Sequence, residues 1–172
     1  MGTSQHNQGN RGGGNRGGNY RGGNQGGGSN NPGGEEISKH RFPLSDYKQQ
    51  IDNWIKEKIN RETIAFVEVA GRYLAENDMS TSQIRIAFGQ LRKIQMNGFE
   101  NSSTEFLMLT PKLAYAAERH KKVGVWMFYD FFKFASSKID INNIELGKTQ
   151  FKNFMQIIEG MLAFHKSYGG KD

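Results

Sequence analysis

Acid–base or metal chemistry would have to come from four histidines, His6, His40, His120 and His165, and their spacing argues against it. The first two lie in or near a glycine-rich N-terminal stretch. His120 and His165 each stand on a helical pattern without a second ligand one turn away, which a metal pair on one helix face requires. Both project toward the apolar stripe of their helix, the place of a histidine that packs and is hydrogen-bonded inside a core. The carboxylates are dispersed on polar faces beside Lys or Arg, as in WIKEKINRE (54–62). None completes the Glu-x-x-His pairs with which a helical bundle holds two metals. No glycine loop opens a helix to cradle a phosphate. Cysteine is absent, which removes disulfides, thiol catalysis and Cys-ligated clusters. These residues predict a chain that is not an enzyme, with no metal and no cofactor.

The basic residues are better organised. Arg85 and Arg92 are seven positions apart, so they lie at nearly the same angle on a helix. They flank the apolar stripe, and Gly89 removes a side chain on the same flank, which lets a backbone approach closely. Lys112, Tyr115, Arg119 and Lys122 are spaced i, i+3, i+7, i+10 and share one face of the next long helix, opposite Leu113 and Ala117. Cations two turns apart suit the phosphates of a nucleic-acid strand, and Tyr115 adds an aromatic ring. Solubilising surface charge gives the same spacing, and periodicity alone leaves both readings standing.

These faces need helices to carry them, and after Pro43 the pattern is helical throughout, with no alternating strand. A first helix is expected from Ser45 to Ile59, with Tyr47, Ile51, Trp54, Ile55, Lys58 and Ile59 at helical spacing. A second covers 61–77, with Ile64, Val67, Ala70, Gly71 and Leu74 on one side; the two are also compatible with a single bent helix. The third opens at STSQ (80–83), where Ser80 and Gln83 fit a capping box. It buries Ile84, Ala87, Phe88, Leu91 and Ile94 and stops at Gly98. After a turn, STEFLML (103–109), the fourth starts with Thr110 as N-cap and Pro111 at the first helical position. It reaches Lys122, and Gly124 breaks it. The fifth, 125–138, is apolar nearly all round. Val125, Phe128, Phe132, Ala135 and Ile139 make its stripe, and Trp126, Phe131 and Phe134 lie off it as core residues or interface candidates. The last, Thr149 to Tyr168, aligns Phe151, Phe154, Met155, Ile158, Leu162 and His165. The predicted fold class is all-α, a compact bundle of about six helices.

In front of the bundle the chain repeats a loose unit, NRGGG, NRGG, YRGG, a composition that cannot bury apolar surface. The expected organisation is a disordered tail over 1–36 and a helical domain over 37–172. Arg11, Arg16, Arg21 and Tyr20 make the tail either a loose RNA tether or an inert arm. The net charge of +6 and pI near 9.5 favour a polyanionic partner. The N-terminus shows no apolar run of the signal-peptide kind. The most apolar stretch, VGVWMFYDFF (123–132), contains Asp130 and is far short of the ~20 residues that span a bilayer. A cytoplasmic protein with no membrane partner is expected.

Two segments in order, LTPKLAYAAERH (109–120) and, after the aromatic FYDFFKFASSKI, the terminal FKNFMQIIEGMLAFHKSYGG (151–170), resemble the small helical subunit of type III-A CRISPR (Csm) effector complexes. The likeness runs over most of 45–170 and is silent about the glycine-rich tail. It implies a non-catalytic protein that stacks head to tail in several copies along a ribonucleoprotein. It implies contacts to the backbone of guide RNA and target RNA without sequence reading. The implied protein partners are the backbone subunits and the large polymerase-like subunit. The matching basic positions are Lys112, Tyr115 and Arg119 in the motif and Arg85 in the preceding helix; Arg92 and Lys122 join them on helical geometry. Without the resemblance, the Arg/Gly tail also allows a free-standing RNA chaperone in which the tail binds and the bundle merely oligomerises.

Overall fold

The computed structural model describes residues 41–171; the expected tail, with Arg11, Arg16, Tyr20 and Arg21, lies outside the described residues. All regular structure among the described residues is helical. A 3-10 turn, Leu44–Tyr47, leads into α1 (Lys48–Lys56), then α2 (Arg61–Glu76) and α3 (Thr81–Asn97). A second 3-10 turn (Phe99–Asn101) precedes the short α4 (Ser103–Leu107), α5 (Leu109–His120), α6 (Val123–Ser136) and α7 (Ile144–Ser167). The expected all-α bundle is met by six helices of nine residues or more and the single-turn α4.

Local chemistry explains the boundaries. α1 and α2 are separate helices, not one bent rod, because Asn60 starts α2 afresh. Its Oδ1 accepts the Thr63 N–H at 3.0 Å, and its own N–H donates to Thr63 Oγ1 at 3.1 Å. The end of α1 is closed from a distance: the buried Asn153 of α7 donates its side-chain amide to the Ile55 carbonyl at 3.0 Å. α3 carries the capping box its sequence predicts, with Gln83 N–H on Ser80 Oγ at 3.2 Å and Ser80 N–H on Gln83 Oε1 at 2.9 Å. Gly98, at φ +86°, ends it in a backbone region that favours glycine.

Several boundaries differ from the expected ones, beginning with α1, which spans Lys48–Lys56 rather than 45–59 because a 3-10 turn precedes it and Asn60 starts α2. α5 opens at Leu109, not after a Thr110 cap, because α4 runs into it with only Met108 between. Pro111 is then the third helical residue, still in the first turn where its missing N–H removes no hydrogen bond. α5 ends at His120 because Lys121 adopts the left-handed conformation, φ 51° and ψ 32°. Gly124, expected to break that helix, instead sits buried in the first turn of α6 and donates its N–H to the Asn77 carbonyl at 3.0 Å. α7 begins at Ile144, so 144–148 are helix rather than loop: Asn143 Oδ1 accepts the Leu146 N–H at 3.2 Å.

α7 is the central element and packs most extensively on α2, with further contacts to α1, α3 and α6. Two glycines let the α2 and α7 backbones approach. A Cβ on Gly71 would lie 2.7 Å from Phe164 Cβ, and one on Gly160 would lie 2.9 Å from Val67 Cγ2. Around this crossing Phe66, Phe106, Phe128, Phe131, Phe132 and Phe154 are fully buried. Burial of each such ring contributes roughly 1.5–3 kcal/mol of transfer free energy. Phe131 thereby leaves the set of interface candidates: its ring stacks on Phe154 at 6.4 Å and tilts against Phe66 at 5.9 Å, with none of it exposed. Ile64 and Lys58, read as stripe residues, face outward, and Phe88 is half-buried.

Candidate nucleic-acid interface

α3 buries Thr81, Ile84, Ala87, Leu91 and Ile94 along one side. About a quarter-turn away run Arg85, Gly89, Arg92 and Met96, all exposed, spaced i, i+4, i+7, i+11. Nothing lies within 4 Å of where a Gly89 Cβ would be, so the strip is bare at its centre. The Arg92 guanidinium lies 5.5 Å from the Phe88 ring centroid and donates to Gln95 Oε1 at 3.1 Å, which steadies the side chain without neutralising it. α5 buries Leu109 and Ala117 and turns Lys112, Tyr115 and Arg119 outward, with Tyr115 69% exposed. α3 and α5 pack against each other, which makes them neighbours in the bundle.

No carboxylate among the described residues pairs with Arg85, Arg92, Lys112 or Arg119. Elsewhere cations are matched, as Arg72 is by Glu76 at 2.8 Å and Lys56 by Asp52 at 2.8 Å. Unpaired ammonium and guanidinium groups keep their whole charge for an anionic partner, and long-range attraction follows from the sum.

Lys122 does not share this face. The left-handed Lys121 turns the chain off the α5 axis, and Lys122 becomes the extended N-cap residue of α6, 3.6 Å from Asp78 Oδ2. The i+10 spacing held only if the helix continued. Conversely, the early start of α5 brings in Met108, four residues before Lys112 and 50% exposed, and the sequence reading missed it. Leu107, 51% exposed, and Ile86, 68% exposed, add apolar area at these helices. The signal for Met108 was its spacing from Lys112, masked by the assumed Thr110 cap.

The two interface candidates left on α6, Trp126 and Phe134, are half-buried. Trp126 meets Tyr129 edge-on at 5.7 Å, and the Lys48 and Lys138 ammonium groups lie 5.4 and 4.8 Å from the Phe134 centroid. Of the histidines read as core residues, His165 is fully buried and its Nε2 donates to the Met79 carbonyl at 2.7 Å. His120 is exposed instead, because at the last residue of α5 no helix covers it. No group of three or more His, Asp or Glu among the described residues gathers to hold a metal ion. No helix among them is long and apolar enough to cross a membrane.

Comparison with curated proteins and with solved structures yields no match. A family model for Csm2 Type III-A matches residues 57–171, which include α2 through α7 and both basic strips. With two thirds of its length matched, the chain belongs to the Csm2 Type III-A family, small subunits of type III-A CRISPR–Cas complexes.

Proposed function

We propose that this chain is a non-catalytic RNA-binding subunit that lays the outer faces of α3 and α5 along the backbone of a guide–target RNA pair without reading sequence. The carrying observation is the pair of exposed strips, Arg85/Arg92 and Lys112/Tyr115/Arg119, whose charges have no carboxylate partner among the described residues. Backbone contacts through Lys and Arg give affinity that depends on salt and is indifferent to base identity. Weak contact per copy suffices when several copies stack head to tail, because the linked binding events multiply. Head-to-tail contacts are heterologous and leave open ends, which suits a row of subunits. Trp126 and Phe134 are the proposed contact points for a neighbouring copy or a backbone subunit, and the large polymerase-like subunit is a further partner of the assembly. The assembly works in the cytoplasm. Arg11, Arg16, Arg21 and Tyr20 act as a loose auxiliary RNA tether.

The test is the combined charge reversal Arg85→Glu, Lys112→Glu and Arg119→Glu in the full chain. RNA affinity should fall steeply, and the slope of log affinity against log salt should shrink by about one for each phosphate no longer neutralised. Circular dichroism should be unchanged, since all three side chains are exposed. Parental RNA affinity in the triple variant overturns the site.

A further inference from the structure

The segment AFHKSYGG (163–170) is half of the sequence likeness, yet none of it belongs to the basic strips. Its geometry gives it a different task. After α7 the chain reverses at Gly169, φ +78°, and Gly170 donates its N–H to the His165 carbonyl at 2.9 Å. The segment then meets the beginning of α3. The Gly170 carbonyl accepts the Thr81 hydroxyl at 3.1 Å, and the Lys171 carbonyl accepts the Thr81 N–H at 2.6 Å. His165 Nε2 donates to the Met79 carbonyl at 2.7 Å, since a carbonyl only accepts, and its Nδ1 is buried without a partner. Thr81 and His165 are both fully buried. A Cβ on Gly170 would overlap the His165 ring, which is why the segment seats only with glycine there.

The Thr81 N–H is one of the donors that a helix leaves unsatisfied at its start. The Ser80–Gln83 box satisfies others, and this one is taken by a segment distant in sequence. Apolar packing along Ile84, Ala87, Leu91 and Ile94 holds α3 to the core but directs it weakly along its own axis. Hydrogen bonds are directional and fix that coordinate. Arg85 is one turn beyond Thr81.

We propose that His165, Gly170 and Lys171 form a clasp that sets the start of α3, making them positioning residues for Arg85. This rests on the RNA-facing reading of α3 given above. The test compares full-length Gly170→Ala, His165→Phe and His165→Gln with the parent. A truncation after Gly169 removes both carbonyl acceptors together and leaves every side chain of the α3 stripe in place. Amide exchange at Thr81 should accelerate at least tenfold in Gly170→Ala, His165→Phe and the truncation. It should remain near parental in His165→Gln, whose side-chain amide can donate to the Met79 carbonyl. Affinity for a labelled RNA duplex should fall several-fold in the first three variants and recover in His165→Gln. In an Arg85→Ala background the same changes should cause little further loss, the signature of coupled residues.

Unchanged exchange at Thr81 overturns the clasp. Equal RNA loss with and without Arg85 overturns the positioning role. If Arg85→Ala itself binds RNA like the parent, the RNA-facing reading falls and the positioning role falls with it. Exchange at Thr81, measured without RNA, then still decides whether the clasp exists.

Discussion

The aromatic helix α6 is covered on nearly every side, whereas the plainer α3 leaves two large apolar residues in solvent. Val125, Met127, Phe128, Phe131, Phe132 and Ala135 of α6 are buried, and its remaining aromatics are half-covered. On α3, Ile86 is 68% and Met96 85% exposed, next to Arg85 and Arg92. The difference follows from neighbours: α6 touches α1, α2, α5 and α7, while α3 rests mainly on α7 with smaller contacts to α4 and α5. Apolar content all round α6 left a central and a partner-covered helix both open, and the neighbours make it central. An aromatic-rich helix signals how much it must bury, and a mixed helix with unpaired cations signals what it shows.

That contrast can be broken by mutation. Phe131→Ala should cost about 3–5 kcal/mol in chemical denaturation, the range for truncating a fully buried Phe. A loss below ~1 kcal/mol would mean that α6 is far less enclosed than its packing indicates. Ser80→Ala should cost about 1 kcal/mol by removing the cap that accepts the Gln83 N–H.

Next in size is an effect of pH on the covered side, where Asp52 ties α1 to the residues after α6. Its carboxylate accepts from Lys56 at 2.8 Å and lies 3.6 Å from Lys138 Nζ. The Lys56 hydrogen bond, assisted by the charges of Lys56 and Lys138 against some desolvation, holds the Asp52 carboxyl below its ordinary range. Its stabilising share is therefore present above the unfolded carboxylate range and lost as pH falls through the depressed folded value. Denaturation midpoints taken down an acid series should fall less steeply in Asp52→Asn than in the parent; equal slopes would remove Asp52 from the acid response. The smallest effect belongs to the open side. Ile86→Ser with Met96→Ser should change stability by no more than about 0.5 kcal/mol. A larger loss would mean that these side chains are buried against something in solution.

Much of the helical bundle could be read directly. The Ser80–Gln83 box, the stripe Ile84, Ala87, Leu91 and Ile94, and the grouping of Phe151, Phe154, Met155, Ile158 and His165 are local patterns that the fold retains. What escaped depended on contacts between distant segments. Gly124 reads as a helix breaker until the Asn77 carbonyl is placed against it. Lys121 carries no mark of its left-handed conformation, so the i+10 spacing puts Lys122 on a face that the chain leaves. Phe131 lies off the main stripe of α6, and only the arrival of Phe66 and Phe154 from two other helices shows it to be interior. In the candidate site, Arg85, Arg92, Lys112, Tyr115 and Arg119 were legible because exposure on a helix follows from angle. Met108 was not, because its place depends on where α5 begins.

Gly89 has a further consequence. It is exposed, it sits between Arg85 and Arg92, and a side chain there would meet nothing within 4 Å. The chain contains no cysteine. Gly89→Cys would therefore place a unique thiol at the middle of the strip, and the helix would gain rather than lose propensity. The bare spot is a ready mounting point for a spectroscopic reporter, from which the approach of a partner to this face can be watched directly.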